Sequence, residues 1–274
     1  MFGKLVVGVL AAAGVVAGVG VATTSMSADD AVVTRIVDGD TFDATVAGRA
    51  TTIRLLNIDT PETKDPDTGV QCLGPEATAR LGQMIPVGSS VSLAYDDERT
   101  DGYDRTLAGV YDDEGRLVNA ELAREGLGTA LVVGGNDRFY GDVLGAQNEA
   151  RAAARGLYSV DRACTLPAQV QAVTSAVTAA QQQAQQPPTD PAGLDRAAAT
   201  AAGLVRDVDV LRGAFTGPRR GLVWTALSTA DERRLTDTLV SAGDQARRLQ
   251  ARLTALADAA RERDRLAAEQ AERE

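Results

Sequence analysis

The chain has 274 residues, no histidine, two cysteines and a formal net charge of −10 at pH 7. Without an imidazole, a Ser-His-Asp relay, a His-held zinc and a histidine general base are excluded from any activity the chain performs alone. The acidic balance argues against a passive coat on nucleic acid, so a phosphate substrate would have to be held by local arginines and a metal.

Lys4 precedes an uncharged apolar run over residues 5–22, and small residues then lead to Asp29 and Asp30. This layout reads as an export signal over 1–28. A retained membrane anchor is the alternative, because the run is long for a signal core and borderline for a span. Either reading puts the body of the chain outside the cytoplasm, secreted or at the cell surface. In that compartment Cys72 and Cys164 read as one disulfide, since an even count allows full pairing. Two unrelated buried thiols are the alternative. In the chain-entropy treatment a bridge over so long a loop contributes about 3–5 kcal/mol.

Residues 31–57 alternate as strands broken by turns at Asp38-Gly39 and Ala47-Gly48, which predicts a three-stranded meander. Gly74-Pro75-Glu76 opens a helix running to Met84, with the proline suited to its first turn. Strands follow over 91–95 and 106–111, and the turn over 112–115 leads into a short strand ending near Val118. Asn119 is expected to cap a helix that stops at Gly126, and a further helix is expected over 142–155, ending at Gly156. Five short strands with three helices fit a small closed β-barrel of the oligonucleotide-binding type, an α+β fold.

Beyond Cys164 the composition changes. The Ala-, Gln- and Pro-rich stretch 166–191 reads as a linker between a body over 29–165 and a helical region over 192–274. In that region Leu194, Ala201, Leu204, Val208, Leu211 and Phe215 fall on one helical face. After a break at Gly217-Pro218, the apolar positions from Leu235 to Ala260 repeat at alternating spacings of four and three, with Thr229 and Glu232 as a capping box. A helical hairpin or coiled coil is expected, suited to self-association or to a cell-envelope partner.

The chemistry concentrates around Asp40, Asp59 and Glu62. Turn formation explains most aspartates beside Gly and Pro. Here, however, Asp59-Thr60-Pro61-Glu62 follows an apolar strand that carries Arg54 in its middle. Two carboxylates from adjacent strands plus a backbone carbonyl make an all-oxygen site suited to Ca²⁺. No cluster of soft ligands is present to favour zinc or copper. Arg54 and Arg105 supply the bidentate positive charge that phosphoryl transfer needs, and Glu62 would align or deprotonate a water.

Asp-Gly-Asp-Thr at 38–41, Arg-Leu-Leu-x-x-Asp-Thr-Pro-Glu-Thr-Lys at 54–64, Gly-Pro-Glu-Ala at 74–77, Arg-Thr-Asp-x-Tyr-x-Arg at 99–105 and Val-Asn-x-x-Leu-x-x-x-Gly-Leu at 118–127 occur in order. With these motifs, residues 32–159 resemble the staphylococcal (micrococcal) nuclease family, the thermonucleases. The resemblance implies an oligonucleotide-binding barrel that hydrolyses DNA and RNA with Ca²⁺ and leaves 3′-phosphates. It implies Asp40 and Asp59 as carboxylate ligands of the metal and Thr60 as a carbonyl ligand. It further implies Glu62 as the water-positioning group, Arg54 and Arg105 as the phosphate-binding pair, and Tyr103 against the nucleotide. Secreted members often carry a cysteine pair like Cys72 and Cys164. Gly102 and Val132 depart from the pattern, standing where a lysine and a second tyrosine are expected, and the domain is acidic where the type member is basic. These departures imply weaker substrate binding and a higher KM. The rival readings are a catalytically weak nucleic-acid-binding barrel and a cell-surface interaction protein acting through its C-terminal helices.

Overall fold

A computed structural model describes residues 29–64, 69–219 and 221–274; the apolar run 5–22 lies outside the described residues, as does the rest of segment 1–28. Strand β1 (Asp29–Ile36) buries Ala31 and Val33 on alternate positions, the period-2 pattern of a half-buried strand. A register shift between Val33 and Arg35 curves it towards β2 (Thr41–Val46). Ala47 and Gly48 both take positive φ, the requirement of a tight primed turn, and pass the chain to β3 (Arg49–Leu55). Strands β5 (Ser90–Ala94) and β6 (Thr106–Tyr111) complete a closed barrel in the order β1-β2-β3-β6-β5, with β3 and β6 parallel.

Closure leaves one interior to fill. Phe42, Ile53, Leu93 and Val110 fill it, and helix α1 (Gly74–Met84) covers it with Ala77 and Leu81. Helix α2 (Val118–Arg124) and helix α3 (Tyr140–Ala152) add Leu122, Val143 and Ala150 to the same cluster. The two-residue strands β4 (Ile58–Asp59) and β7 (Thr129–Ala130) pair with each other outside the barrel and so fix the position of Asp59.

The α+β barrel matches the sequence expectation, with local corrections. The turn over 112–115 returns only to a single bridge between Tyr111 and Leu117, not to a strand. Asn119 does not cap α2; Leu117 does, and the Asn119 side chain is fully buried inside the fold. Its Oδ1 accepts from the Val110 N–H at 2.9 Å, and its Nδ2 donates to Leu56 O at 2.8 Å and to Ala108 O at 3.3 Å. Those backbone groups offered better partners than a helix end. Helix α3 stops at Ala152 because Ala154 and Gly156 both turn to positive φ.

Residues 166–183, expected to be linker, form helix α4 (Leu166–Gln183). The Thr165 hydroxyl accepts from the Ala168 N–H at the N-cap and Pro167 sits in the first turn, while Val170 and Val177, seven apart, share a buried face. The glutamine-rich composition hid this apolar stripe. Helix α5 (Pro191–Thr216) and helix α7 (Thr229–Ala271) form an antiparallel hairpin: Asp195 pairs with Arg261, Asp209 with Arg247 and Glu232 with Arg219. Helix α4 packs against both, so the helical region is a three-helix assembly rather than a bare hairpin. Leu235, Leu239, Ala242, Ala246, Leu249 and Leu253 bury their heptad positions along the seam. The capping box of α7 is Ser228 with Asp231, one residue earlier than expected.

The two regions are joined by more than chain continuity. The short helix α6 (Leu222–Thr225) and the residue after it send Leu222 and Ala226 into the barrel's core cluster. Trp224 instead turns its edge to Phe215 of α5, with ring centroids 5.0 Å apart. Arg151 of α3 donates to Ala226 O at 3.2 Å, pairs with Asp231 at 3.3 Å and lies over the Tyr158 ring.

Candidate active site

The turn between β1 and β2 closes when the Val37 and Asp38 N–H groups both donate to Thr41 O. It drives Asp40 inward, to 3 % exposure. A carboxylate so buried requires partners. Its Oδ2 accepts from Thr60 N at 2.9 Å and Thr60 Oγ1 at 3.0 Å, and faces Arg54 Nη1 at 3.0 Å, while Oδ1 accepts from Thr41 Oγ1. Gly39 is needed for this approach, because a Cβ there would lie 2.6 Å from Thr60 Oγ1 and 2.7 Å from Ala77 Cβ.

Arg54 sits directly across the ladder from Thr41, so strand register carries its guanidinium to Asp40. Nη1 also donates to Leu55 O and Ile58 O, and Nη2 meets Asp59 Oδ1 at 3.1 Å. One guanidinium therefore bridges both aspartates and braces the strand-to-turn backbone between them.

Arg54 does not balance the acids around it. Burial raises the Asp59 carboxyl above its ordinary range, with Asp40 and Asp38 adding to the effect and Arg54 opposing it. Glu62 is raised in the same way, by burial and then by Asp38, Asp40 and Asp59. Asp38 is raised by burial and by Asp40. Four carboxylates thus share one field with a single arginine, and a hard cation would relieve their mutual repulsion. Among the described residues no three acidic, histidine or cysteine side chains stand ready-made as a metal cage. The all-oxygen donor set and the excess negative charge nonetheless fit a calcium-type ion completed by waters.

Arg105 arrives from the turn before β6. Asp101 Oδ1 accepts from the Tyr103 and Arg105 N–H groups, while Oδ2 accepts from Arg105 Nε at 2.7 Å. This clamp aims the guanidinium without joining it to the acidic cluster. Arg54 and Arg105 instead line one cavity of about 110 Å³, walled by Leu55–Ile58, Leu107, Leu131 and Val133. Tyr103 is 84 % exposed, with its ring centroid 5.5 Å from the Arg105 guanidinium. Val132, where a second aromatic was expected, is exposed, and Gly102 faces open space.

The structure therefore brings Asp40, Arg54, Asp59 and Thr60 into direct contact, places Glu62 within their field, and sets Arg105 on the neighbouring cavity with Tyr103 beside its guanidinium. Cys72 and Cys164 are bonded, with Cα atoms 5.6 Å apart. Sequence reasoning did not single out Asp38 and Asp101, nor Asn57, whose side chain ties Leu131 O, Asn136 O and Phe139 N together behind the cavity. Asn57 has positive φ in the turn between β3 and β4, and an asparagine interrupting an apolar run was the available signal.

Residues 52–160 match the family model described as staphylococcal nuclease homologue. The thermonuclease of Staphylococcus intermedius is 37% identical over 130 residues, covering 47% of this chain and 76% of that protein. The thermonuclease of Staphylococcus hyicus is 34% identical over 127 residues, covering 46% of this chain and 74% of that protein. The SPbeta prophage-derived endonuclease YokF of Bacillus subtilis (strain 168) is 37% identical over 132 residues, covering 47% of this chain and 44% of that protein. Motif order, closed barrel and similarity along most of the length of two thermonucleases lead to one conclusion: the chain belongs to the staphylococcal nuclease family.

Proposed function

We propose that this chain is an exported endonuclease that hydrolyses DNA and RNA with Ca²⁺, without strong sequence preference, and leaves 3′-phosphates. Family membership makes it a nuclease, a phosphodiesterase; the metal, the substrate range and the cleavage side are the proposal. The observation that carries it is the Arg54 guanidinium bridging Asp40 and Asp59 at the edge of a cavity shared with Arg105.

In this reading Asp40, Asp59 and the Thr60 carbonyl hold Ca²⁺, which when bound supplies positive charge against the phosphate oxygens. Glu62 orients the attacking water and accepts its proton. Arg54 and Arg105 grip the phosphate oxygens, where negative charge grows in the transition state. Asp101 fixes the Arg105 guanidinium in advance, so less ordering remains when substrate arrives. Tyr103 lies against the nucleotide.

The same reading assigns 1–28 to a signal or membrane anchor, 29–165 to the nuclease body and 192–274 to a region for self-association or a cell-envelope partner. The helical character of 166–183 assigns that segment to the helical region. Purified protein incubated with DNA or RNA and Ca²⁺ tests the activity. Cleavage with 3′-phosphate ends, lost with chelator and reduced to a small but measurable residue in Glu62→Gln and Arg105→Ala, is expected. Chelator-resistant cleavage, or full turnover in Glu62→Gln, would overturn it.

A further inference from the structure

The segment that carries Glu62 rests against the residues that immediately precede α1. The Gln71 N–H donates to Glu62 O at 2.8 Å. Gly74, at the start of α1, lies so close that a Cβ there would come within 2.9 Å of both Pro61 O and Glu62 O and within 2.8 Å of the Thr63 side chain. Residues 71–74 are therefore the bed on which the Glu62 backbone rests.

That bed is tied by one disulfide to the residues that lead into α4. Cys72 is bonded to Cys164, 92 residues away in sequence. Cys164 precedes Thr165, which is fully buried, donates from Oγ1 to Ser159 O at 2.6 Å and caps α4. Gly221 passes close to the same residues: a Cβ there would lie 3.7 Å from the Gln71 side-chain amide, an ordinary van der Waals distance. Gly221 leads directly into Leu222, which is buried in the barrel core. One end of the bridge thus adjoins the buried N-cap of α4, and the other sits beside the glutamate backbone.

We infer that the Cys72–Cys164 bridge, with the docked 221–226 segment beside it, is a positioning device for Glu62. The inference rests on the reading of Glu62 as the water-aligning group. A misplaced base lowers the chemical step while leaving substrate contacts to Arg54 and Arg105 intact, so kcat should fall at nearly constant KM.

The test compares wild type, Cys72→Ser/Cys164→Ser, Glu62→Gln and the triple variant in the full chain, on one oligonucleotide with saturating Ca²⁺. The double cysteine variant is expected to keep its circular-dichroism spectrum, to lose at least about tenfold in kcat and to change KM by less than about twofold. In the Glu62→Gln background the same serine substitutions should cost less than about twofold, because the group being positioned is already disabled. A merely structural bridge would lower kcat by the same factor in both backgrounds, and that result overturns the inference. Should the serine variant fail to fold, wild type is treated with a dithiol reductant instead. The reductant gives two electrons and two protons to the bridge, yielding two thiols while closing to its own disulfide. Loss of kcat on reduction and its return on reoxidation supports the device; unchanged kcat in the reduced, folded protein overturns it. If Glu62→Gln alone leaves kcat intact, the reading of Glu62 fails first and the inference falls with it. If Glu62→Gln loses most of its turnover while the bridge variant does not, only the inference falls.

Discussion

The Arg54 guanidinium of β3 and the Asp40 carboxylate, in the turn that leads into β2, meet at 3.0 Å, with their side chains 15% and 4% exposed. So buried a pair persists because each member has further partners: Thr60 on the aspartate, Leu55 O, Ile58 O and Asp59 on the arginine. A lysine carries the charge but not the planar fork that reaches all of them. Arg54→Lys is expected to lower kcat by about 10²–10³-fold, the loss typical of one transition-state donor. Steady-state kinetics on an oligonucleotide checks this, and wild-type kcat in the lysine variant would remove Arg54 from the mechanism.

Gly39 allows the Asp38–Asp40 turn to rest against Thr60 and α1. Gly39→Ala places a methyl group 2.6 Å from Thr60 Oγ1 and 2.7 Å from Ala77 Cβ. The expected cost is about 1–3 kcal/mol, as for other overpacked sites. Activity should drop with it, since Asp40 must move away from Thr60. Urea unfolding with a parallel activity assay reads both, and a stable, active variant would contradict the geometry.

Asn119 holds three backbone groups of the barrel wall from inside the fold. Asn119→Ala leaves a buried donor and two buried acceptors without that partner, at about 1–3 kcal/mol for each unsatisfied group. A midpoint shift in denaturant worth at least about 2 kcal/mol is expected. A shift within the noise of a surface substitution would mean that water replaces the amide.

The acid limb of stability should depend on Asp112. Burial works to raise this carboxyl, but the Arg116 N–H, the Arg116 guanidinium and the Glu114 N–H outweigh it and hold the carboxyl below the usual range. A group depressed on folding stabilises above its unfolded value, near pH 4, and loses that contribution as pH falls through its folded value. Wild type should therefore exceed Asp112→Asn in stability at pH 7, and the gap should close towards about pH 2. Thermal melts across that range decide it; a gap that widens in acid has the wrong sign.

Calcium should stabilise the folded chain, because it relieves repulsion among Asp38, Asp40, Asp59 and Glu62. At a hundred times its dissociation constant the ion adds about 2.7 kcal/mol, readable as a rise in Tm that chelator reverses. The rise should vanish in Asp40→Asn. An unchanged Tm in wild type at millimolar Ca²⁺ would argue against the metal assignment.

The motifs and the strand alternation made the barrel, α1 and the identity of the charged residues legible in the sequence. Period-2 burial and turn chemistry are local properties, written within a few residues of one another. The heptad spacing of α7 was legible for the same reason. Only the tertiary structure decided which carboxylates share one field, because the contact of Asp40 with Thr60 depends on strand register and on the space that Gly39 leaves. It also decided that Asn119 serves the barrel wall instead of a helix end, and that Leu222 and Ala226 belong to the barrel core. Contacts between residues far apart in sequence are set by how the packed elements meet, and composition carries no record of that: a stretch rich in glutamine read as linker until Val170 and Val177 found a face to bury against.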